Sequence, residues 1–341
     1  MKKLTFIQCV PSDVHYCWET ELQIDNYIKT GYNPEDYRVL VFIPKDRVEQ
    51  GIPDCWKKLQ DKHLNCNFYY YFDTEDILTN VIRKINYIPY LRVYMLEKHF
   101  REHSYLKDHA IFYWDSDVLF TKKFDFTPYL DNDICYLSNT GHYLNLEYLE
   151  GKIEQSSLKD ELREIKPIDS ILEANGISKE IAKANNAGVG GAQYLLKNID
   201  ADFWEDVKNS CKLIRPYFMN LNKNFFPSEN AGWQSWCADM WAVLWNLWKR
   251  NLKTEVPKDF DFAWATDPIQ RLNEVYLFHN AGVASTVMNL NNENIVLFNK
   301  NNYKNNDRVP YNEKDKLSLV DPRYASYFYA QALFNLTNTV F

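Results

Sequence analysis

The chain has 341 residues, 46% hydrophobic and 25% charged, enough for one large α/β domain with a sizeable core and too apolar for a disordered chain. Lys and Arg total 39 against 46 Asp and Glu, a formal net charge of −7, which argues against a general nucleic-acid binder and leaves only a local basic groove open. Seven cysteines without a C-x-x-C argue against a disulfide framework or a zinc ribbon and suit reduced thiols in a cytosolic protein.

Met1-Lys2-Lys3 followed by Leu4 to Val10 imitates a signal peptide. The apolar run is short, holds Gln8 and meets Pro11 and Asp13 without a small-residue cleavage site, so it reads as a first strand. Tyr16 to Lys29 has helical spacing, and Arg38 to Ile43 and Asn67 to Phe72 read as strands. Pro89 to Arg101 reads as a helix and Ala110 to Trp114 as a fourth strand. Strands spaced by helices imply βαβ units and a mainly parallel sheet, with ligands at the carboxyl ends of the strands.

Further along, Asp133 to Ser138 reads as a strand and Gly151 to Gly176 as polar helix. Asn185 to Tyr194 holds Gly188, Gly190 and Gly191. Ala201 to Leu213 and the apolar Gly232 to Arg250 read as helices, and Val275 to Phe278 as a short strand. Asn299 to Lys316 has the Asn- and Lys-rich composition of a mobile lid. With no uncharged apolar run of about 18 residues, no spanning helix is expected. The expectation is a cytoplasmic protein, soluble or peripheral to a membrane. The 24 Tyr, 20 Phe and 10 Trp suit a ring-rich core, and rings also make platforms for sugar faces.

Four Asp-x-Asp triplets occur, at Asp115/Asp117, Asp131/Asp133, Asp200/Asp202 and Asp259/Asp261, and only the first ends a clean apolar strand. Carboxylates placed there lose hydration and repel each other, and a divalent cation relieves both costs. An ordinary strand-end turn is the alternative. A second signal is Asp239: from Trp236 to Trp248 the helix is apolar all round, interrupted only by Asp239 and Asn246. A helix of that kind is normally buried, and a buried carboxylate needs a partner or a task. Otherwise Asp239 is an exposed cap near the helix start.

The strand, the Asp115-Ser116-Asp117 triplet and the following Val-Leu-Phe resemble the metal-binding element of GT-A fold glycosyltransferases. Tyr90 to Leu96 resembles the segment before that motif in glycosyltransferase family 8 and its relatives. The resemblance implies transfer of a sugar from a nucleotide diphosphate, expected to be a UDP-sugar, with Mn²⁺ or Mg²⁺. It implies a metal site of Asp115, Asp117 and the His279 of Leu277-Phe278-His279-Asn280, with Ser116 and Arg92 near the donor. Asn185 to Gly191 is similar to the family's segment beside the donor sugar, implicating Asn186 and Gly188; a plain Gly-rich turn is the alternative. Asp239 and Glu229 become candidates for the carboxylate facing donor sugar or acceptor, Asp13 for the nucleoside edge, and Lys300 for the leaving diphosphate. No Lys-Pro-Trp follows His279, so the likeness is to the broader class and not to a close member of family 8.

The expected organisation is a single GT-A-like catalytic domain over 1–341, with a nucleotide-binding half over 1–120, an acceptor and sugar half over 121–290, and a lid and tail over 291–341. The acceptor is a glycan, a protein side chain or a hydroxylated DNA base. A carbohydrate- or partner-binding module without catalysis, and a metal-dependent nucleotide-diphosphate hydrolase, are the rival readings.

Overall fold

The computed structural model describes residues 1–282, 287–290, 293–304 and 308–341. Ten strands matter for the site: β1 (Leu4–Pro11), β2 (Tyr37–Ile43), β3 (Asn67–Phe72), β4 (Ala110–Trp114), β5 (Val118–Phe120), β6 (Cys135–Leu137), β7 (Tyr194–Leu196), β8 (Thr254–Glu255), β9 (Phe262–Trp264) and β10 (Leu277–His279). Seven of them form a mixed, mostly parallel sheet in the order β3-β2-β1-β4-β7-β6-β8, with helices around it. A small sheet of order β5-β10-β9 pairs β10 antiparallel to β5 and parallel to β9. The α/β class read from the sequence holds.

The chain forms two compact units. One comprises Phe6–Phe72, Trp114–Phe126 and Lys258–Phe341. Its β2 is buried along its whole length, as Val- and Ile-rich parallel strands are. Phe6, Tyr27, Trp114 and Phe120 pack edge-on and tilted around one another, which is where much of the aromatic content goes. The helix Val14–Lys29 lays Trp18 and Leu22 against Phe278, Phe298 and Tyr329 of the C-terminal third. On the same helix the buried Glu21 accepts hydrogen bonds from Lys62 Nζ (2.8 Å), the Tyr311 hydroxyl (2.9 Å) and the Val340 amide (3.0 Å), tying the tail down.

The segment with the composition of a mobile lid has several buried residues in its described parts. Lys300–Tyr303 is a 3₁₀ turn, and Lys300, Tyr303, Val309 and Tyr311 are buried. Aromatic and aliphatic residues scattered among the asparagines anchor it, and residues 305–307 of that stretch lie outside the described residues.

The other unit comprises Met1–Thr5, Asp73–Tyr113 and Thr127–Pro257. The polar stretch 151–176 is three short helices, Leu146–Gln155, Lys159–Ile165 and Pro167–Ala174. Lys166 adopts the left-handed conformation and Pro167 starts the next helix, so one continuous helix is excluded. The helix expected to end at Leu213 continues to Phe225 through Pro216, because Ile214, Phe218 and Leu221 extend its buried face. The apolar helix begins at Ala238 and not Gly232. Asn222 bonds the Trp233 amide and carbonyl and holds the chain non-helical there.

The glycine cluster serves close packing. A Cβ on Gly188 would lie 2.2 Å from the Thr254 carbonyl oxygen, and one on Gly190 would lie 2.4 Å from that of Ser138. Gly190→Ala is therefore expected to cost about 1–3 kcal/mol, since overpacking against backbone cannot relax through a side chain. Urea denaturation checks this, and an unchanged midpoint would refute it. Among the described residues no helix is long and apolar enough to cross a membrane.

Candidate metal centre

β4 ends at Trp114 and β5 begins at Val118, so Asp115, Ser116 and Asp117 form the turn between two buried strands. Gln23 on the first helix braces that turn: its Nε2 donates to the carbonyl oxygens of Asp115 (2.7 Å) and Val118 (2.8 Å). The Asn280 amide donates to the Asp117 carbonyl oxygen at 3.0 Å. β10 runs antiparallel to β5 with His279 opposite Val118, which sets the imidazole beside the turn. His279 is the last residue of that strand, which runs from Leu277 and not from Val275, because the pairing register with β5 begins at Leu277.

Ligating atoms of Asp115, Asp117 and His279 all lie within 4.8 Å of one another. His279 Nε2 is 3.3 Å from Asp117 Oδ1 and 3.8 Å from Asp115 Oδ2. Trp264 stacks on the imidazole at 5.6 Å and 18°, and Phe262 flanks it, so the ring has little freedom to turn. Asp117 and His279 are buried, whereas the Asp115 side chain is 25% exposed and opens the cluster to solvent. Two carboxylates and an imidazole are a donor set that suits Mn²⁺ and, through the oxygens, Mg²⁺.

Lys300 completes the cluster. Its ammonium is buried and bonds Asp117 Oδ2, with Glu19 Oε1 at 3.4 Å. The lysine reaches this place from a tight turn in which the Asn299 side chain accepts from the Asn301 amide (3.0 Å). Gly282 sits at φ +71°, and a Cβ there would approach Lys300 Cε to 2.9 Å, so a glycine lets the stem pass. Glu19 is fully buried, receives the Ser116 hydroxyl on Oε2 (2.5 Å) and faces His15 Nε2 at 3.1 Å. Burial opposes ionisation of Asp117, but Lys300 and His279 hold its carboxyl well below the usual range. Burial likewise opposes the Lys300 charge, and Asp117 and Glu19 outweigh it, keeping the ammonium above the ordinary lysine range. Glu19 is held low against burial chiefly by Lys300 and His15.

Asp115, Ser116, Asp117, His279 and Lys300 thus come together in one unit. Asp13 is in that unit too, and its exposed carboxylate pairs with Arg47 Nη1 at 2.9 Å. The second unit holds the remaining candidates. There Asp239 is buried with both oxygens engaged: the Tyr87 hydroxyl lies 2.5 Å from Oδ1, and Arg92 Nη2 bonds Oδ2. The Asp239 amide also donates to the Tyr87 hydroxyl at 2.8 Å. The buried-carboxylate reading of the helix therefore holds, and Arg92 is its partner. Asn186 is bound on both sides of its amide, donating to Glu147 (2.8 and 2.9 Å) and accepting from the Leu146 amide (3.1 Å). Glu229 is exposed, and its carbonyl oxygen accepts from Asn222.

Sequence reasoning missed Glu19, His15 and Tyr87. The first two are four apart on a helix, a spacing that was there to be read, but a polar i, i+4 pair ordinarily marks a solvated face. Tyr87 stands in a loop with no periodic signal.

No family model matches the chain, and no curated protein does. In structure the chain is similar to the bifunctional glycosyltransferase WbbM in its apo form (TM-score 0.42, 11% identity, 84% of this chain and 47% of that one). It is also similar to apo mouse xyloside xylosyltransferase 1 (TM-score 0.38, 9% identity, 83% and 99%). A third similar structure is the mannosyltransferase PcManGT from Pyrobaculum calidifontis in complex with GDP-Man and Mn²⁺ (TM-score 0.28, 11% identity, 73% and 72%). The chain spans about half the length of the first of these. All three are glycosyltransferases, and the likeness concerns the α/β architecture alone.

Proposed function

We propose that the chain is a metal-dependent glycosyltransferase that moves a sugar from a nucleotide diphosphate, with a UDP-sugar as first choice, to an acceptor hydroxyl. The observation that supports this reading is the Asp115, Asp117 and His279 cluster at the carboxyl end of β4. In this reading those three residues hold Mn²⁺ or Mg²⁺. When bound, such an ion offsets the negative charge of the departing diphosphate.

The chain's own groups do the rest. Asp117 and His279 are buried and fixed, so they form the rigid side of the site, and Asp115 meets solvent and the incoming donor. Ser116 keeps the turn in register through Glu19, and Lys300 brings a permanent positive charge that a diphosphate can use as it leaves. Asp13 is proposed for the nucleoside, and Asn186 and Gly188 for the backbone beside the donor sugar. Asp239, held by Arg92 and Tyr87, is proposed to accept a hydrogen bond from a sugar hydroxyl, a carboxylate having more acceptor sites than these two bonds use. The exposed Glu229 is the candidate base. A glycan, a protein side chain or a hydroxylated DNA base is the acceptor class.

Calorimetric titration of UDP with and without Mn²⁺ tests the proposal, followed by GDP, CDP and dTDP. Metal-dependent binding of one nucleoside diphosphate is the expected result. Absence of metal-dependent binding across the whole panel by well-folded protein would sink it. His279→Ala is expected to weaken Mn²⁺ at least about tenfold, as even outer-shell partners of metal ligands cost that much. Electron paramagnetic resonance of free Mn²⁺ measures the change.

A further inference from the structure

The cluster around Asp117 already holds a cation of its own, the buried Lys300 ammonium. Glu19, Asp115 and Asp117 are three carboxylates, Glu19 and Asp117 buried, and the Lys300 ammonium pairs with these two. Asp117 divides its two oxygens, Oδ1 toward His279 and Oδ2 toward Lys300. A metal ion held by Asp117 and His279 and the Lys300 ammonium are then two cations on one buried carboxylate, where low dielectric makes their repulsion strong. Lys300 has a second acceptor within reach, because Glu19 Oε1 lies only 3.4 Å from its nitrogen.

We infer that Lys300 is a built-in counter-ion that competes with the metal for Asp117. It keeps metal affinity low until a diphosphate arrives and takes up the lysine charge. This rests on the metal-site reading above and adds a coupling to it: the lysine makes metal binding conditional on the nucleotide. In the free protein Lys300 neutralises Asp117. With metal and diphosphate bound, its charge is shared by Glu19 and the phosphate oxygens. The lysine is a positioning residue in this role, acting through Asp117.

The test is calorimetric titration of Mn²⁺ alone into wild type, Lys300→Met, Lys304→Met and Asp117→Ala, repeated with saturating UDP. Lys304 is the control, a basic residue at the end of the same 3₁₀ turn. Lys300→Met is expected to raise Mn²⁺ affinity in the absence of nucleotide by about tenfold, within the usual range of coupling between two sites. The gain from adding UDP should shrink by the same factor, and Lys304→Met should change affinity less than about twofold. Should the methionine variant fold poorly, Mn²⁺ is expected to raise its melting temperature more than it raises that of wild type, because the ion replaces the missing charge.

Equal or weaker Mn²⁺ binding by Lys300→Met than by wild type, with binding still lost in Asp117→Ala, overturns the competition and leaves the metal site standing. An equal rise in Lys304→Met also overturns it, because the effect is then general electrostatics. No Mn²⁺ binding by any variant, with or without nucleotide, overturns the metal reading itself.

Discussion

Replacing Asp117 by alanine is expected to abolish metal-dependent nucleotide binding, lowering Mn²⁺ affinity by more than about 100-fold, beyond the range found for outer-shell partners of metal ligands. The size follows from the geometry. Asp117 touches both His279 and Lys300, and it is buried between them. The same change takes from Lys300 its hydrogen-bonded carboxylate, so part of the loss is a charge left poorly compensated inside the protein. Asp117→Asn separates the two effects. It keeps the volume and two polar atoms but removes the charge, so it should fold better than alanine while binding metal as poorly. Calorimetry for the metal and urea denaturation for stability give the two readouts. Retention of Mn²⁺ affinity within about threefold in both variants, well under that 100-fold loss, would exclude Asp117 as a ligand.

Arg92→Ala is expected to destabilise the protein by about 3 kcal/mol, because removing one partner of a buried ion pair leaves the other uncompensated. Asp239 is 5% exposed, and without Arg92 it keeps, among the described residues, the Tyr87 hydroxyl as its side-chain hydrogen-bond partner. The value belongs at the lower end of the range, since the Arg92 side chain is itself 20% exposed and partly hydrated. The double variant with Asp239→Ala should cost less than the sum of the two single changes, as coupled neighbours do. Urea midpoints of the four proteins close the cycle, and strict additivity would show that the pair is not an energetic unit. If Asp239 also binds a sugar hydroxyl, Arg92→Lys should retain stability better than alanine and still weaken donor binding, because a lysine cannot reproduce the planar geometry of the guanidinium.

The two ion pairs differ in what they mean for function. Arg92 and Asp239 pair, and Tyr87 joins them, an arrangement that ties the Tyr90–Glu102 helix to the Ala238–Lys249 helix. Lys300 and Asp117 are open-ended. Lys300 has an alternative acceptor in Glu19, and Asp117 sits between His279 and a partly exposed Asp115. Lys300 therefore has a second carboxylate within reach should Asp117 be engaged elsewhere.

Much of this was legible in residues close together in the chain. A run of apolar residues stopping at Asp115-Ser116-Asp117 identifies the end of a strand and a pair of carboxylates that must be relieved of their repulsion, and this needs no partner to be known. An apolar helix interrupted by one aspartate shows that Asp239 is buried and must be paired, since a helix hydrophobic on all sides has no solvent face. Strands alternating with helices give the α/β class for the same local reason. Helix ends were misplaced at Gly232 and Leu213. What ends a helix is often a distant cap such as Asn222, and what extends one is a buried face that continues past a proline.

Only the tertiary structure decided who the partners are. Arg92 stands 147 residues from Asp239, and Lys300 stands 183 from Asp117. Periodicity reports which face of an element is buried but not which element covers it, and that depends on the order and register of strands brought together across the whole chain. The antiparallel pairing of β10 with β5 carries His279 to the carboxylates, and the packing of the C-terminal segment delivers Lys300 between Asp117 and Glu19. The need for positive charge beside Asp117 was written in the sequence, and the identity of the cation that the chain itself supplies emerged only when it folded.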